Sequence, residues 1–185
     1  MSKFSKIVLV APNNIALRYN LNDFLVELHQ YEPIDANVPQ VFNQALDQYQ
    51  NEECILCLLG PEVILNPNYP QALEIIVSTF EEQDSIRCIY TDNITISNGI
   101  KYPLFFPAYK FDVCDSVTIN TSVFCHSKIK GRFDETLKYL YEFAFLDYVF
   151  RNNLAWHIAE PLVIVTDKPH TQLAQQELQK LKNDQ

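Results

Sequence analysis

The feature that most constrains the fold is an unbroken apolar run, Cys54–Leu59, which ends abruptly at Gly60-Pro61-Glu62. A strand that is apolar at every position must be covered on both faces, so this run predicts the central strand of a sheet with helices on each side. A second run, Ile7–Ala11, has only five residues and ends at Pro12. It predicts another buried strand and not the apolar core of a signal peptide. Together the two runs favour an α/β fold.

The remaining periodicities predict further helices and strands. Apolar residues at helical spacing predict helices at Leu21–Tyr31, Val38–Gln50, Gln71–Glu82 and, as the longest, Phe133–Asn152. Strands are predicted at Lys6–Ala11, Arg87–Thr91, Ser116–Cys125 and, interrupted by Pro161, His157–Val165. We also predict a turn at Asn98-Gly99 between two short strands and an aromatic, proline-containing loop over Tyr102–Tyr109. The predicted fold is a compact α/β domain over 1–165, an open mixed sheet flanked by helices, followed by a polar, helical tail over 166–185.

Charge and cysteine usage restrict the partners and the compartment. The net charge of −9 and the sequence pI of about 4.8 predict a surface that repels nucleic acid and anionic membranes. No apolar run reaches the roughly 18–20 residues of a membrane span. Five cysteines, an odd number among apolar neighbours, indicate buried thiols in a reducing cytosol and not a disulfide framework. Cys54 and Cys57 have the CxxC spacing, but residues three apart on a strand point to opposite faces. We therefore expect a cytoplasmic protein.

One general rule excludes a common type of phosphate-binding loop, and another locates a candidate site without identifying its ligand. The chain has only three glycines, which excludes a glycine-rich phosphate loop. Open α/β sheets bind their ligands beyond the carboxyl ends of the strands. The loop that follows the central strand, Gly60-Pro61-Glu62, is therefore a natural position for a site.

Four short blocks along the chain carry a family resemblance. They are Asn43-Gln44-Ala45-Leu46 leading into Cys54–Pro67, then Ile89-Tyr90-Thr91-Asp92, then Phe106-Pro107 through Ile119-Asn120, and finally Gly131-Arg132-Phe133-Asp134-Glu135. In this order they resemble the blocks of the GT-A-fold glycosyltransferases of family 2, which move a sugar from a nucleotide diphosphate to an acceptor hydroxyl. The resemblance covers roughly 38–165 and implies a Rossmann-like nucleotide-diphospho-sugar transferase fold.

The resemblance implies roles for particular residues. Glu142 lies seven residues after Glu135, where the family has its catalytic base, and Tyr141 stands in place of an acidic neighbour. Inverting sugar transfer needs such a base within hydrogen-bond reach of the acceptor hydroxyl. Pro12 and Asn13 resemble a first-strand donor-binding region, and Asp92 would help to shape the donor pocket. The alternative for Glu142 is an ordinary exposed helix glutamate.

The resemblance also implies a divalent metal, Mn²⁺ or Mg²⁺, on the leaving diphosphate. The family holds it with an Asp-x-Asp motif, where this chain has only Glu62, and some relatives add a histidine that would correspond to His170. The alternatives are a strand-ending loop with one exposed acid and a surface histidine. The segment between Tyr31 and Val38 lacks the family's nucleotide-holding motif.

Two functions from different classes remain open. One is a glycosyltransferase that uses a nucleotide sugar and transfers the sugar to an unknown acceptor hydroxyl with inversion. The other is a catalytically degenerate domain of the same fold that acts as a binding or assembly module, with a protein partner or as a homo-oligomer. The aromatic residues of the Tyr102–Tyr109 segment fit either function, since they can stack on a sugar ring or pack against the sheet edge or a partner.

Overall fold

The structure is a computed structural model that describes Phe4 and residues 6–13, 26–33, 37–69, 71–106, 122–166 and 172–183. Within these residues the chain forms eight strands and four helices. The strands are β1 (Lys6–Pro12), β2 (Val26–Tyr31), β3 (Cys54–Leu58), β4 (Val63–Leu65), β5 (Cys88–Ser97), β6 (Ile100–Leu104), β7 (Val123–His126) and β8 (Ala155–Thr166). The helices are α1 (Val38–Tyr49), α2 (Ala72–Glu82), α3 (Tyr141–Arg151) and α4 (Gln172–Asn183).

All eight strands belong to one mixed sheet. Their order is β2-β1-β3-β7-β5-β8-β4, and β6 pairs with β5 beside this path. The pairs β1–β2, β1–β3 and β5–β8 are parallel, whereas β7 runs antiparallel to both of its neighbours, β3 and β5. The predicted α/β class with a mixed sheet and flanking helices is confirmed. Because β1, β2, β3 and β5 run in one direction, their carboxyl ends share one edge of the sheet.

The central strand β3 has the double cover that its sequence predicts. Its side chains alternate between two core clusters: Cys54, Leu56 and Leu58 pack with residues of α1 and α3 on one face, and Ile55 and Cys57, followed by Leu59 just beyond the strand, pack with residues of α2 on the other. Each fully buried leucine or isoleucine of this kind contributes about 1.5–3 kcal/mol. The two CxxC sulfurs therefore diverge as predicted. Cys54, Cys57, Cys88 and Cys125 are all buried free thiols.

The helix predicted at Leu21–Tyr31 is wrong over its second half. Val26–Tyr31 forms the strand β2, which pairs in parallel with β1 from Val26 opposite Ile7 to Tyr31 opposite Pro12. Residues 21–25 lie outside the described residues. The apolar spacing fits both periods, and pairing of the β2 backbone along the open side of β1 decides between them.

The helix predicted at Phe133–Asn152 is also shorter than expected. It begins only at Tyr141 and ends at Arg151, so its 11 residues make it shorter than the 12-residue helices α1 and α4. Before it, Asp134 accepts hydrogen bonds from the backbone N–H and the hydroxyl of Thr136, at 2.8 Å and 2.7 Å. Such local bonds offer the backbone an alternative to helix, which explains the late start.

The hairpin prediction is confirmed and the loop that was predicted after it is partly wrong. Asn98 and Gly99 have φ of 51° and 76°, as a type I′ turn requires, and connect β5 to β6. Residues 102–104 of the predicted loop belong to β6 because their backbone pairs with β5. Residues 107–109 of that loop and residues 116–121 of the predicted strand before β7 lie outside the described residues.

The last strand, β8, continues through Pro161, where an interruption was predicted. The register between β5 and β8 shifts at this point, with Asp92 opposite Pro161, so the residue without an N–H group falls on an irregularity of the ladder. The short strand β4, which was not predicted, pairs with the end of β8. None of the described helices is long and apolar enough to cross a lipid bilayer.

Candidate functional site

The carboxyl-terminal edge of the sheet brings together residues that are far apart in the sequence. Pro12 ends β1 opposite Tyr31 at the end of β2, and Gly60 follows β3 two residues beyond the Leu58–Val10 pair. Helix α3 begins beside this edge. Its first two residues, Tyr141 and Glu142, are both buried, with exposed fractions of 1% and 2%. The alternative that Glu142 is an exposed helix glutamate is therefore wrong.

Gly60 allows α3 to approach the end of β3 closely. A β-carbon on Gly60 would lie 3.2 Å from the Tyr141 hydroxyl oxygen and 3.4 Å from Oε1 of Glu142. Both polar groups thus converge on one backbone position directly after the central strand. The Tyr141 hydroxyl is buried and has no hydrogen-bond partner among the described residues, and it interacts electrostatically with the Glu142 carboxylate. This convergence is the geometric centre of the candidate site.

Two tyrosines, Tyr31 and Tyr141, and two carboxylates, Glu62 and Glu142, interact electrostatically at this centre. Burial raises the pKa of Tyr141 well above its ordinary value, and the negative charge of Glu142 raises it further. Burial likewise raises the pKa of Tyr31, with added contributions from Glu142 and Glu62. The Tyr31 hydroxyl donates to the carbonyl of Leu59 at 2.9 Å, which ties the end of β2 to the end of β3. A low-dielectric site that contains carboxylates is the setting in which general bases occur.

The fourth sequence block holds α3 in place through α1. The side-chain amide of Asn43 accepts from the backbone N–H of Phe133 at 2.8 Å and donates to its carbonyl at 3.0 Å. Asn43 also donates to Oε1 of Glu135 at 2.9 Å. The ring of Phe133 stacks on Phe145 of α3, with centroids 4.1 Å apart and an interplanar angle of 9°. The first and fourth blocks are therefore joined directly, although about 90 residues separate them.

A glycine in the same block allows another close contact. A β-carbon on Gly131 would lie 2.6 Å from Cε1 of Tyr148 and 3.1 Å from Cε2 of Phe145. No side chain fits this space without displacing an aromatic ring of α3. Gly131 therefore contributes to the position of the helix that carries Glu142.

Asp92 lies at the same edge but has structural partners of its own. Its Oδ1 is 2.8 Å from Nε2 of His157 and accepts from the backbone N–H of Phe106 at 2.9 Å. The His157 ring stacks on Tyr90 with centroids 4.8 Å apart. Asp92 is 2% exposed. Asp92 is therefore already bound to His157, and any contribution to a donor pocket would be made by the Asp92–His157 pair and not by a free carboxylate. Sequence reasoning missed His157, because the register of β8 on β5 that makes them partners is not encoded locally.

The other predicted donor residues, Pro12 and Asn13, lie at the end of β1, beside the end of β2. Pro12 is buried, whereas Asn13 is exposed. The Asn13 backbone N–H donates to the carbonyl of Tyr31 at 2.9 Å, and its side-chain amide donates to Glu32. These bonds join Asn13, directly after β1, to the end of β2.

The predicted metal ligands do not form a complete set in the described part of the chain. Glu62 is partly buried, and its backbone carbonyl accepts from the N–H of Thr166 at 2.9 Å. His170 lies outside the described residues. Within the described ranges, no group of three or more His, Cys, Asp or Glu side chains is arranged to hold a metal ion. Mg²⁺ is commonly held by one or two carboxylates together with substrate phosphates, so Glu62 would hold Mn²⁺ or Mg²⁺ only with phosphates of a bound substrate completing the coordination.

Compared with known proteins, the sequence matches no family model and no curated protein at a significant level.

Proposed function

We propose that this protein is a glycosyltransferase-like enzyme of GT-A-like fold, with Glu142 as the general base. The observation that carries the proposal is the burial of Glu142 beside Tyr141, Glu62 and the backbone of Gly60 at the carboxyl edge of the sheet. This edge is where α/β sheets bind ligands. Direct bonding between Asn43 and Phe133, which belong to the first and fourth blocks of the family resemblance, supports the same assignment.

In the proposed reaction, Glu142 removes the proton of an acceptor hydroxyl. The acceptor oxygen forms a bond to the anomeric carbon of a nucleotide sugar on the face opposite the leaving group. The bond between that carbon and the diphosphate oxygen breaks, and its electron pair leaves with the nucleoside diphosphate. Because the acceptor attacks opposite the leaving group in a single displacement, the anomeric configuration is inverted. Glu142 holds the acceptor proton until it is released to solvent.

The degenerate-module alternative has specific support as well. Tyr141 stands beside Glu142 where the resembled family has an acid, and Asp92 is engaged by His157. A site altered in this way can keep the fold and lose the reaction. A partner-binding or self-associating domain is then the remaining function, and light scattering of the purified chain measures its oligomeric state.

Donor binding distinguishes the two functions. We expect at least one nucleotide sugar, from a panel of uridine, guanosine and thymidine diphosphate sugars, to raise the melting temperature of the chain at 1 mM donor. The titration is run with Mn²⁺, with Mg²⁺ and with chelator, so that any metal requirement appears as a difference between the arms. If no donor or free nucleotide shifts the melting curve in any arm, the enzyme proposal fails.

A matched pair of variants tests the base. For Glu142→Gln we expect kcat for transfer to fall about 10²–10⁴-fold while donor affinity is retained, because loss of a general base removes a contribution of this size. Glu82→Gln makes the same chemical change at an exposed position on α2 and should leave turnover unchanged. Equal turnover in wild type and Glu142→Gln would remove Glu142 from this role.

A further inference from the structure

The C-terminal helix α4 reaches the backbone just before α3 through one side chain. Oε1 of Glu177 accepts from the N–H of Lys138 at 2.8 Å, and Oε2 accepts from the N–H groups of Tyr139 and Leu140 at 3.0 Å each. A single carboxylate thus satisfies three consecutive amides. These three residues, 138–140, lead directly into Tyr141 and Glu142.

Helix α3 lacks a capping side chain of its own. Its N-cap residue is Leu140, which is apolar and makes no side-chain hydrogen bond to the first turn. The free N–H groups at a helix start carry partial positive charge, and an acidic side chain there is stabilising. Glu142 lies in the first turn itself, and Glu177, 37 residues after Leu140, supplies a second acid that binds the N-cap amide and the two amides before it. Charge-assisted bonds of this kind are shorter and stronger than neutral ones.

Helix α4 holds Glu177 in place by further contacts of the residues that follow it. Leu178 and Leu181 pack against the core cluster that contains Tyr141 and Phe133. Nζ of Lys180 donates to the Thr136 hydroxyl at 3.2 Å. The helix is therefore docked by apolar contacts, and its carboxylate is aimed at the amides before α3.

We propose that Glu177 is a positioning residue for Glu142: by fixing amides 138–140 it sets where α3 begins and holds the Glu142 carboxylate against Gly60. The importance of this for catalysis rests on the proposed function, whereas the positioning itself is independent of it. A shift of about 1 Å in a catalytic group can cost about 10²-fold in rate. A side chain in the polar tail would in this way control the geometry of the site.

The test uses the full chain with Glu177→Gln, Glu177→Ala and the exposed control Glu82→Gln. Glutamine keeps one acceptor oxygen without the charge, and alanine removes both oxygens. We expect hydrogen exchange at amides 138–140 to accelerate about tenfold or more in Glu177→Ala, less in Glu177→Gln, and not at all in the control. We also expect the carboxyl carbon resonance of Glu142, assigned by its absence in Glu142→Gln, to move in the same order.

Both readouts are independent of activity, so the two proposals fail separately. Unchanged exchange at 138–140, or faster exchange without movement of the Glu142 resonance, overturns the positioning role. If both readouts change and wild type binds no donor, the positioning role stands and the proposed enzyme function fails. If wild type is active, Glu177→Gln should lower kcat more than it raises KM. Should Glu177→Ala not fold, Glu177→Gln decides the outcome alone.

Discussion

Acidic side chains are exposed at one end of this sheet and buried at the other. At the amino-terminal end of β1 and β3, Glu27 and Glu52 lie 2.7 Å and 2.8 Å from Nζ of Lys6, and Glu53 pairs with Lys128. The side chains of these three glutamates are 41–45% exposed. Water therefore reaches all three carboxylates; the Lys6 side chain is only 14% exposed, whereas the Lys128–Glu53 pair is exposed on both sides and is worth about 0–1 kcal/mol.

At the carboxyl-terminal end the acids are buried. Glu142 and Asp92 are each 2% exposed, and the groups that face them are the hydroxyl of Tyr141 and the ring of His157. A carboxylate in such surroundings is costly to keep charged unless its hydrogen bonds are well made. The same residue types therefore hold the surface together at one end and form a candidate reactive site at the other. Burial, and not the number of acids, distinguishes the two ends.

The largest effect that we expect concerns the Asp92–His157 pair. Asp92→Ala leaves Nε2 of His157 and the N–H of Phe106 buried without their acceptor, which should lower the free energy of unfolding by about 3–5 kcal/mol. Asp47→Ala removes an exposed acid that pairs with Arg132, and should cost less than about 1 kcal/mol. Urea denaturation measures both values. Similar costs for the two variants would remove the contrast that we draw between buried and exposed acids.

The support of α3 by Asn43 should have the next largest effect. Asn43→Ala leaves the buried N–H and C=O of Phe133 without partners, and we expect unfolding to become easier by about 2–4 kcal/mol. Gln44→Ala changes an exposed neighbour on the same helix and serves as the matched control. Circular dichroism during denaturation gives both numbers. A cost below 1 kcal/mol would show that the fourth block holds its position without α1.

Alkaline pH should destabilise the carboxyl-terminal end of the sheet, because this end contains two buried phenols, Tyr31 and Tyr141. The pKa values of Tyr31 and Tyr141 are raised in the folded state, so their contribution to stability is complete below the unfolded value of about 10 and is lost as pH rises above it. Each phenol should remove about 1.4 kcal/mol per pH unit above that value.

The double variant Tyr31→Phe/Tyr141→Phe should therefore lose stability less steeply than wild type between pH 10 and 12, as followed by urea denaturation at each pH. Burial also raises the pKa of Cys57 and Cys125, which act in the same direction in both proteins and cancel in the comparison. Parallel curves for the two proteins would mean that both phenols ionise normally in the folded state.

The smallest effect should come from the amino-terminal end. Lys128→Ala breaks the exposed pair with Glu53, and we expect a loss of less than about 1 kcal/mol that shrinks further in 1 M salt. Thermal denaturation at low and high salt measures it. A loss of several kcal/mol that is insensitive to salt would mean that this end is as dehydrated as the other.

Elements whose local pattern agrees with their environment were predicted correctly. β3 is apolar at every position, and α1 has one apolar face with Asn37 as a cap that accepts from the N–H of Gln40 at 3.2 Å. In contrast, the segment of β2 fits both a helical and a strand period, and only the backbone of β1 selects the strand. The early start predicted for α3 failed because Asn43 and Asp134 bond the chain into another path.

The residues of the candidate site likewise fall into those that were predicted from the sequence and those that were not. The candidate base Glu142 and the candidate metal contact Glu62 were predicted from the family resemblance, and both carboxylates act electrostatically on Tyr31 and Tyr141. Tyr31 was missed because it was assigned to a helix. Glu177 was missed because nothing in a polar tail indicates which carboxylate will meet the amides before α3.

By itself, the sequence determined the α/β class, the buried central strand, the loop at its carboxyl end and the candidate acid at position 142. The first three follow from periodicity and local spacing, which act over a few residues, and the candidate acid from the family resemblance. Only the tertiary structure decided that Glu142 is buried against Gly60, that Asp92 belongs with His157 and that Glu177 meets the start of α3. These are contacts between groups separated by 37 to 82 residues or held in register by strand pairing, and no local pattern specifies them.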